Sequence, residues 1–168
     1  FRVPLETAFY VDSLPRIFPL VEIKDQYHRF VIVLMTAKQI RILEINIGEI
    51  TESLLGDLPE LRERVGREWT KEHYQNHSRE NHVRFLREQV RILDSLVAGK
   101  AHSHILLAGN PRMVAQMNGL LPKRLHDRLI NTMICDPRDG VSAVVRDALQ
   151  IYVEQEQLES ESNVQLLE

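Results

Sequence analysis

One cysteine, Cys135, stands in a chain of 168 residues. That excludes an internal disulfide framework and leaves no cysteine set for a zinc site. A reducing compartment, the cytoplasm, is the expected setting. Long apolar runs are also missing. None approaches the ~18–20 residues that a membrane-crossing helix needs, so no membrane partner is expected. Nor does charge of one sign dominate: the formal net charge is −3 at pH 7. Whole-domain nucleic-acid binders are typically strongly basic, so DNA is not an expected partner, although a local basic patch is compatible with this total. The chain has no GxGxxG, no Walker lysine and no GxSxG. This removes the usual nucleotide loops and the nucleophile elbow from consideration.

The sequence does hold enough apolar material for one full core, with 43% hydrophobic and 27% charged residues. It opens at Phe1 with FRVPLETAFYVDSLP, which reads as the middle of a longer protein, so flanking domains are expected. Pro4, Pro15 and Pro19 make residues 1–24 a linker and lead-in, with a short helix around Ile17–Ile23. The domain proper is expected over 25–153, and an acidic tail over 154–168.

Within the domain, Phe30 to Met35 (FVIVLM) is apolar and β-branched, as in a strand buried on both faces. Ile40 to Ile47 puts Ile40, Ile42 and Glu44 on one face and Arg41, Leu43, Ile45 and Ile47 on the other. Gly48 turns the chain into an edge strand from Glu49 to Leu54. Val83, Leu86, Val90, Leu93 and Val97 recur at intervals of three and four, the stripe of a long helix. Phe85, Ile92 and Leu96 widen it, and Arg84, Arg87 and Arg91 lie to one side. HILLA (104–108) is a further buried strand. Asn110-Pro111 follows as N-cap and N1 of a helix to about Met117, then a short helix in PKRLHDRL. A strand from Asn131 to Cys135 and a helix capped by Asp136-Pro137 complete the order β-β-β-α-β-α-β-α. The stripe of the last helix is Val141, Val144, Val145, Ala148 and Tyr152. A meander followed by alternating strands and helices implies an α/β layered domain with a mixed sheet and helices on both faces.

The most unusual stretch is Gly66 to Ser78, polar and unbroken, which we expect to be an exposed loop feeding the long helix. It carries Trp69, Tyr74 and Gln75 among Arg67, Lys71 and Arg79, a mixture of aromatic and cationic groups that can stack on bases and hold phosphates. Glu68, Glu72 and Glu80 dilute the field, and a solvated loop with one tucked aromatic fits the same composition. His73 and His77 are four apart, a spacing that suits two metal ligands on one helical face. The zincin glutamate is replaced by Tyr74, and no third ligand is placed. No metal and no cofactor is therefore expected. His102 and His104 form a second pair at strand spacing, of which only one need be buried.

The ordered set Pro19-Leu20, HRFVIVLMTAKQIRILEINIGEI, Asp57-Leu58-Pro59, HILLAGNPRMVAQM and LPKRLHDRLINTMICDP resembles the central domain of archaeo-eukaryotic class I peptide-chain release factors. It is most similar to the bacterial archaeo-eukaryotic release factor families, over about Pro19 to Tyr152. The resemblance implies a ribonuclease-H-like, translational-component type of sheet, with ribosome and tRNA as partners and peptidyl-tRNA ester hydrolysis as the activity. In such proteins a Gly-Gly-Gln loop feeds the long helix. Here Gly66 and Gln75 stand near the matching positions, but Arg-Glu-Trp-Thr-Lys-Glu-His-Tyr separates them and no glycine pair is present. The resemblance makes Gln75, His73 and His77 the catalytic candidates. Arg67, Trp69, Lys71, Tyr74 and Arg79 are the RNA-binding candidates. The alternative is a non-catalytic module that binds the ribosome or a protein.

Overall fold

The computed structural model describes residues 29–36, 38–58, 71–100, 102–136 and 139–165, with isolated positions 9, 11, 17, 18 and 21 before them. Of the expected lead-in helix, these positions show one turn: the Val21 N–H donates to the Ile17 carbonyl at 3.1 Å. The rest of residues 1–24 lies outside the described residues.

Five strands form one sheet: β1 (Phe30–Met35), β2 (Gln39–Asn46), β3 (Glu49–Asp57), β4 (His104–Gly109) and β5 (Leu129–Ile134). Their order is β3-β2-β1-β4-β5. β1 pairs antiparallel with β2 and parallel with β4, so it joins a meander to a parallel half. Among the described residues four further helices are delimited: α1 (Lys71–Lys100), α2 (Pro111–Leu120), α3 (Lys123–His126) and α4 (Val141–Gln165). The α/β class with a mixed sheet is as the sequence implied.

β1 occupies the centre because every one of its six residues is buried. Its alternate side chains feed two cores. Val31, Val33 and Met35 join Ile40 and Ile42 beneath α1, α2 and α3, where Leu86, Leu93, Val97, Met117 and Leu125 meet them. Phe30, Ile32 and Leu34 join Leu43 and Ile45 beneath α4, against Val144, Val145, Ala148 and Tyr152. Helices therefore cover both faces. Tyr152 stacks flat on Phe30 with centroids 4.5 Å apart.

Several boundaries differ from the sequence reading, each for a physical reason. Residues 71–78, expected in a loop, are already helical, because the polar run contains no Gly or Pro to stop a helix extending backwards from its apolar stripe. β3 continues past Leu54 to Asp57, since Gln39 to Ile42 of β2 offer it a full ladder. Ile47 belongs to a turn rather than to β2. With φ 50 at Ile47 and 73 at Gly48, both central residues of the hairpin are left-handed, the pattern of a two-residue I′ turn. The last helix starts at Val141 rather than directly after Asp136-Pro137: the Ala143 and Val144 N–H groups bond back to the Gly140 carbonyl. That helix then continues to Gln165, through most of the expected tail. Ile92 is 37% exposed, because the face that meets the sheet is narrower than the apolar pattern.

The turn after β4 is as expected. Asn110 caps α2 and accepts from the Arg112 and Met113 N–H groups. Gly109 before it has φ +128 and lies directly against β1. A Cβ there would overlap the Met35 carbonyl oxygen, with the carbonyl carbon 2.7 Å away.

Candidate functional site

The head of α1 carries the residues singled out from the sequence. Positions 71, 75 and 79 fall four apart on one stripe of this helix, and positions 73 and 77 fall one turn apart on another. Lys71, His73, Tyr74, Gln75 and His77 are thus placed on a helical backbone, and their side chains lie outside the described residues. Arg67 and Trp69 lie outside them altogether. Arg79 is exposed.

Below the head, α1 presents a basic face. The buried side of the helix is set by Phe85, Leu86, Val90, Leu93 and Val97, which leaves Arg84, Arg87 and Arg91 exposed. With Arg79, Glu80, Val83 and Glu88 they line a groove of ≈ 760 Å³. Among the described residues none of these four arginines is in an ion pair or a hydrogen bond. The spacing of three and four of Arg84, Arg87 and Arg91 was visible in the sequence, yet it reads there only as the solvated side of a helix. The same helix also meets α2 through His82, whose Nε2 lies 2.9 Å from Gln116 Oε1.

At the other end of α1 a buried charge cluster forms, and sequence reasoning missed it. Glu44 of β2 is 4% exposed, and Lys100, the last residue of α1, donates to its Oε2 at 2.7 Å. Lys100 also pairs with Glu52 of β3. His102, fully buried, brings Nε2 to 3.6 Å from Glu44, and Arg29 brings Nη1 to 4.0 Å. Burial alone would raise the Glu44 carboxyl, but the Lys100 hydrogen bond and charge, His102 and Thr51 outweigh it and hold it below its ordinary value. The hydrogen bonds that Lys100 donates to Glu44 and Glu52 raise its ammonium. Burial pushes the His102 imidazole down against the pull of Glu44, so it stays neutral. Neither ring nitrogen reaches a partner at hydrogen-bond distance among the described residues, while the His102 carbonyl accepts from Arg128 at 2.7 Å. Glu44 and His102 are buried, while Lys100, Glu52 and Arg29 carry the cluster out to the surface. The cluster clamps α1 to β2, β3 and the entry of β4.

Two other constellations fail as catalytic sites. Ser103 Oγ and Glu156 Oε1 lie 2.9 and 3.4 Å from His104, but both meet Nδ1. A relay needs the hydroxyl and the acid on opposite ring nitrogens. Glu156 instead accepts from the Tyr152 hydroxyl at 2.6 Å. Cys135 is partly buried, and burial followed by the charges of Asp139 and Asp147 pushes its thiol up, away from nucleophilic character. Among the described residues, no three His, Cys, Asp or Glu side chains are arranged to hold a metal ion, and no helix is long and apolar enough to cross a membrane.

The fold has clear relatives. An archaeal translation termination factor matches with a TM-score of 0.51 at 15% identity, covering 82% of this chain and 40% of its own. The Pelota protein of Archaeoglobus fulgidus matches with a TM-score of 0.52 at 14% identity, covering 88% of this chain and 40% of its own. The chain therefore spans about two fifths of the length of each, and at such identities the likeness is one of fold. No curated protein matches the chain. The sequence model of one family does, over residues 15–152, which is the whole sheet, all of α1 to α3 and the buried half of α4. By that match the chain belongs to bacterial archaeo-eukaryotic release factor family 10.

Proposed function

We propose that this domain is a ribosome- and tRNA-associated factor of the release-factor type, which works in the cytoplasm and presents the head of α1 to the acceptor end of a tRNA. One observation carries the reading: the family match runs unbroken through residues 15–152 and so includes the whole segment from Gly66 into α1. In this reading Arg67, Lys71 and Arg79 meet RNA phosphates, and Trp69 and Tyr74 stack on bases. Gln75, or one of His73 and His77, orders a water or polarises the peptidyl ester.

A second reading, binding without hydrolysis, is favoured by the backbone. Gln75 lies inside α1, four residues past its start, and no glycine pair precedes it. Only glycine adopts left-handed backbone without steric penalty, so this segment lacks the freedom that a glycine-rich loop would give the glutamine. The experiment is peptidyl-tRNA hydrolysis and co-sedimentation on stalled ribosomes, with the unaltered chain and with Gln75→Ala. Release that falls in Gln75→Ala assigns hydrolysis to this residue. Co-sedimentation without release selects the binding module. A chain that neither sediments with ribosomes nor releases peptide has no part in translation.

A further inference from the structure

We infer that the arginine face of α1, below the head, is a binding groove for an RNA phosphodiester backbone. The inference deepens the RNA-associated reading above and rests on it, but it concerns different residues. Arg84, Arg87 and Arg91 occupy roughly 60° of arc at 100° per residue, and they span about 10 Å of helix axis. Arg79 lies about 18 Å from Arg91 along the axis and about 80° round the helix from Arg87, to one side of the row. All four are exposed and, among the described residues, without a carboxylate partner. They line one groove of ≈ 760 Å³, in which Glu80 and Glu88 are the counter-charges among the described residues. In a chain of net charge −3, this is a local reversal of sign.

The chemistry of the groove selects its occupant. Arginine presents a planar fork of donors that matches phosphate oxygens in pairs. A straight row of such forks suits a straight polyanion with one charge per repeat. Among the described lining residues Val83 is the single apolar side chain, whereas a membrane-surface helix presents a continuous apolar face. An RNA strand that follows the row sets its phosphates on Arg84, Arg87 and Arg91, with Glu80 and Glu88 beside them. Contacts to phosphate oxygens carry no base information, so binding should be independent of sequence and strongly dependent on salt.

The test uses the 168-residue chain, a variant with Arg84, Arg87 and Arg91 all changed to Gln, and a second with all three changed to Lys. Each is titrated against purified ribosomes and against a short fluorescent RNA hairpin between 50 and 200 mM salt. Each phosphate contact contributes a slope of about −0.7 to −0.9 to log affinity against log salt. The Gln variant should therefore lose about 2 to 3 from the slope, and its binding defect should shrink roughly 20- to 40-fold across that salt range. The Lys variant, which keeps the charge, should retain the slope on both targets. Thermal unfolding of all three proteins should coincide, because the changed side chains are exposed. If the unaltered chain binds ribosomes and the Gln variant binds them with the same slope, the groove inference falls and the ribosome reading stands. If the hairpin is bound through these arginines and ribosomes are not, the ribosome reading falls and the groove stands. Failure to bind either target removes both, and stronger binding to a polyglutamate peptide than to RNA replaces the proposed occupant with a protein.

Discussion

Replacing Glu44 with Gln keeps the shape of the side chain and removes the charge that Lys100, His102 and Arg29 surround. In the folded chain this carboxylate is 4% exposed and accepts from Lys100 at 2.7 Å. A hydrogen bond to a charged group contributes about 1.5–3 kcal/mol, and removing one member of a fully buried pair costs about 3–5 kcal/mol. The lower range applies, because the Lys100 left behind is 41% exposed, keeps Glu52 and can turn to water. Glu44→Gln should therefore lower the unfolding free energy at pH 7 by about 1.5–3 kcal/mol. The opposite truncation, Lys100→Met, leaves a buried carboxylate with a neutral His102 and the distant Arg29, and it should cost more. Urea unfolding followed by far-UV circular dichroism measures both. The pH dependence gives an independent check. Glu44 lies below its ordinary 4.5 and His102 below its ordinary 6.5. Each group thus binds fewer protons folded than unfolded, and stability rises with pH through each window. The His102 contribution is complete above 6.5 and is lost as pH falls towards its folded value. The Glu44 contribution is complete above 4.5 and is lost as pH falls below that. In Glu44→Gln the loss of stability below pH 4.5 should shrink, while the loss that starts near 6.5 remains. A change smaller than about 0.5 kcal/mol, a milder Lys100→Met, or an unaltered acid limb would refute the clamp.

Other expectations follow from the backbone. Gly109→Ala places a Cβ against the Met35 carbonyl at φ +128, and it should destabilise by more than about 3 kcal/mol or prevent folding, read as loss of the cooperative urea transition. Ile47→Asn relieves a β-branched residue at φ 50 and completes an Asn-Gly I′ turn. It should raise stability by about 1 kcal/mol, and a lower thermal midpoint would contradict the strain assigned to Ile47.

Much of this fold was legible because its signals are local. FVIVLM reads as a strand buried on both faces, and each of its six residues is buried. Asn110-Pro111 reads as a helix start, and the cap forms as drawn. What was not legible depends on distance along the chain. Glu44 looks like one more alternating position in a strand, because Lys100 and His102, which explain its burial, lie far away in sequence. The arginine row of α1 was visible, but an exposed basic face becomes notable only once the structure leaves it unpaired. At the head of α1 the residue types pointed to RNA chemistry, and the fold adds a helical backbone under Lys71 to Arg79.

The 30 residues of α1 make a rod about 45 Å long. Its first buried residue is Phe85, and its far end is fastened by Lys100 to Glu44 and Glu52. Anchor and working end are thus at opposite extremes of one stiff body. A tilt of one degree at the Lys100 end moves Lys71 by about 0.8 Å over that length. In the proposed reading, the aim of the head is therefore set at the end of the helix that lies away from the RNA. Substitutions around Glu44 should act on the head as changes of pointing, without altering any residue there.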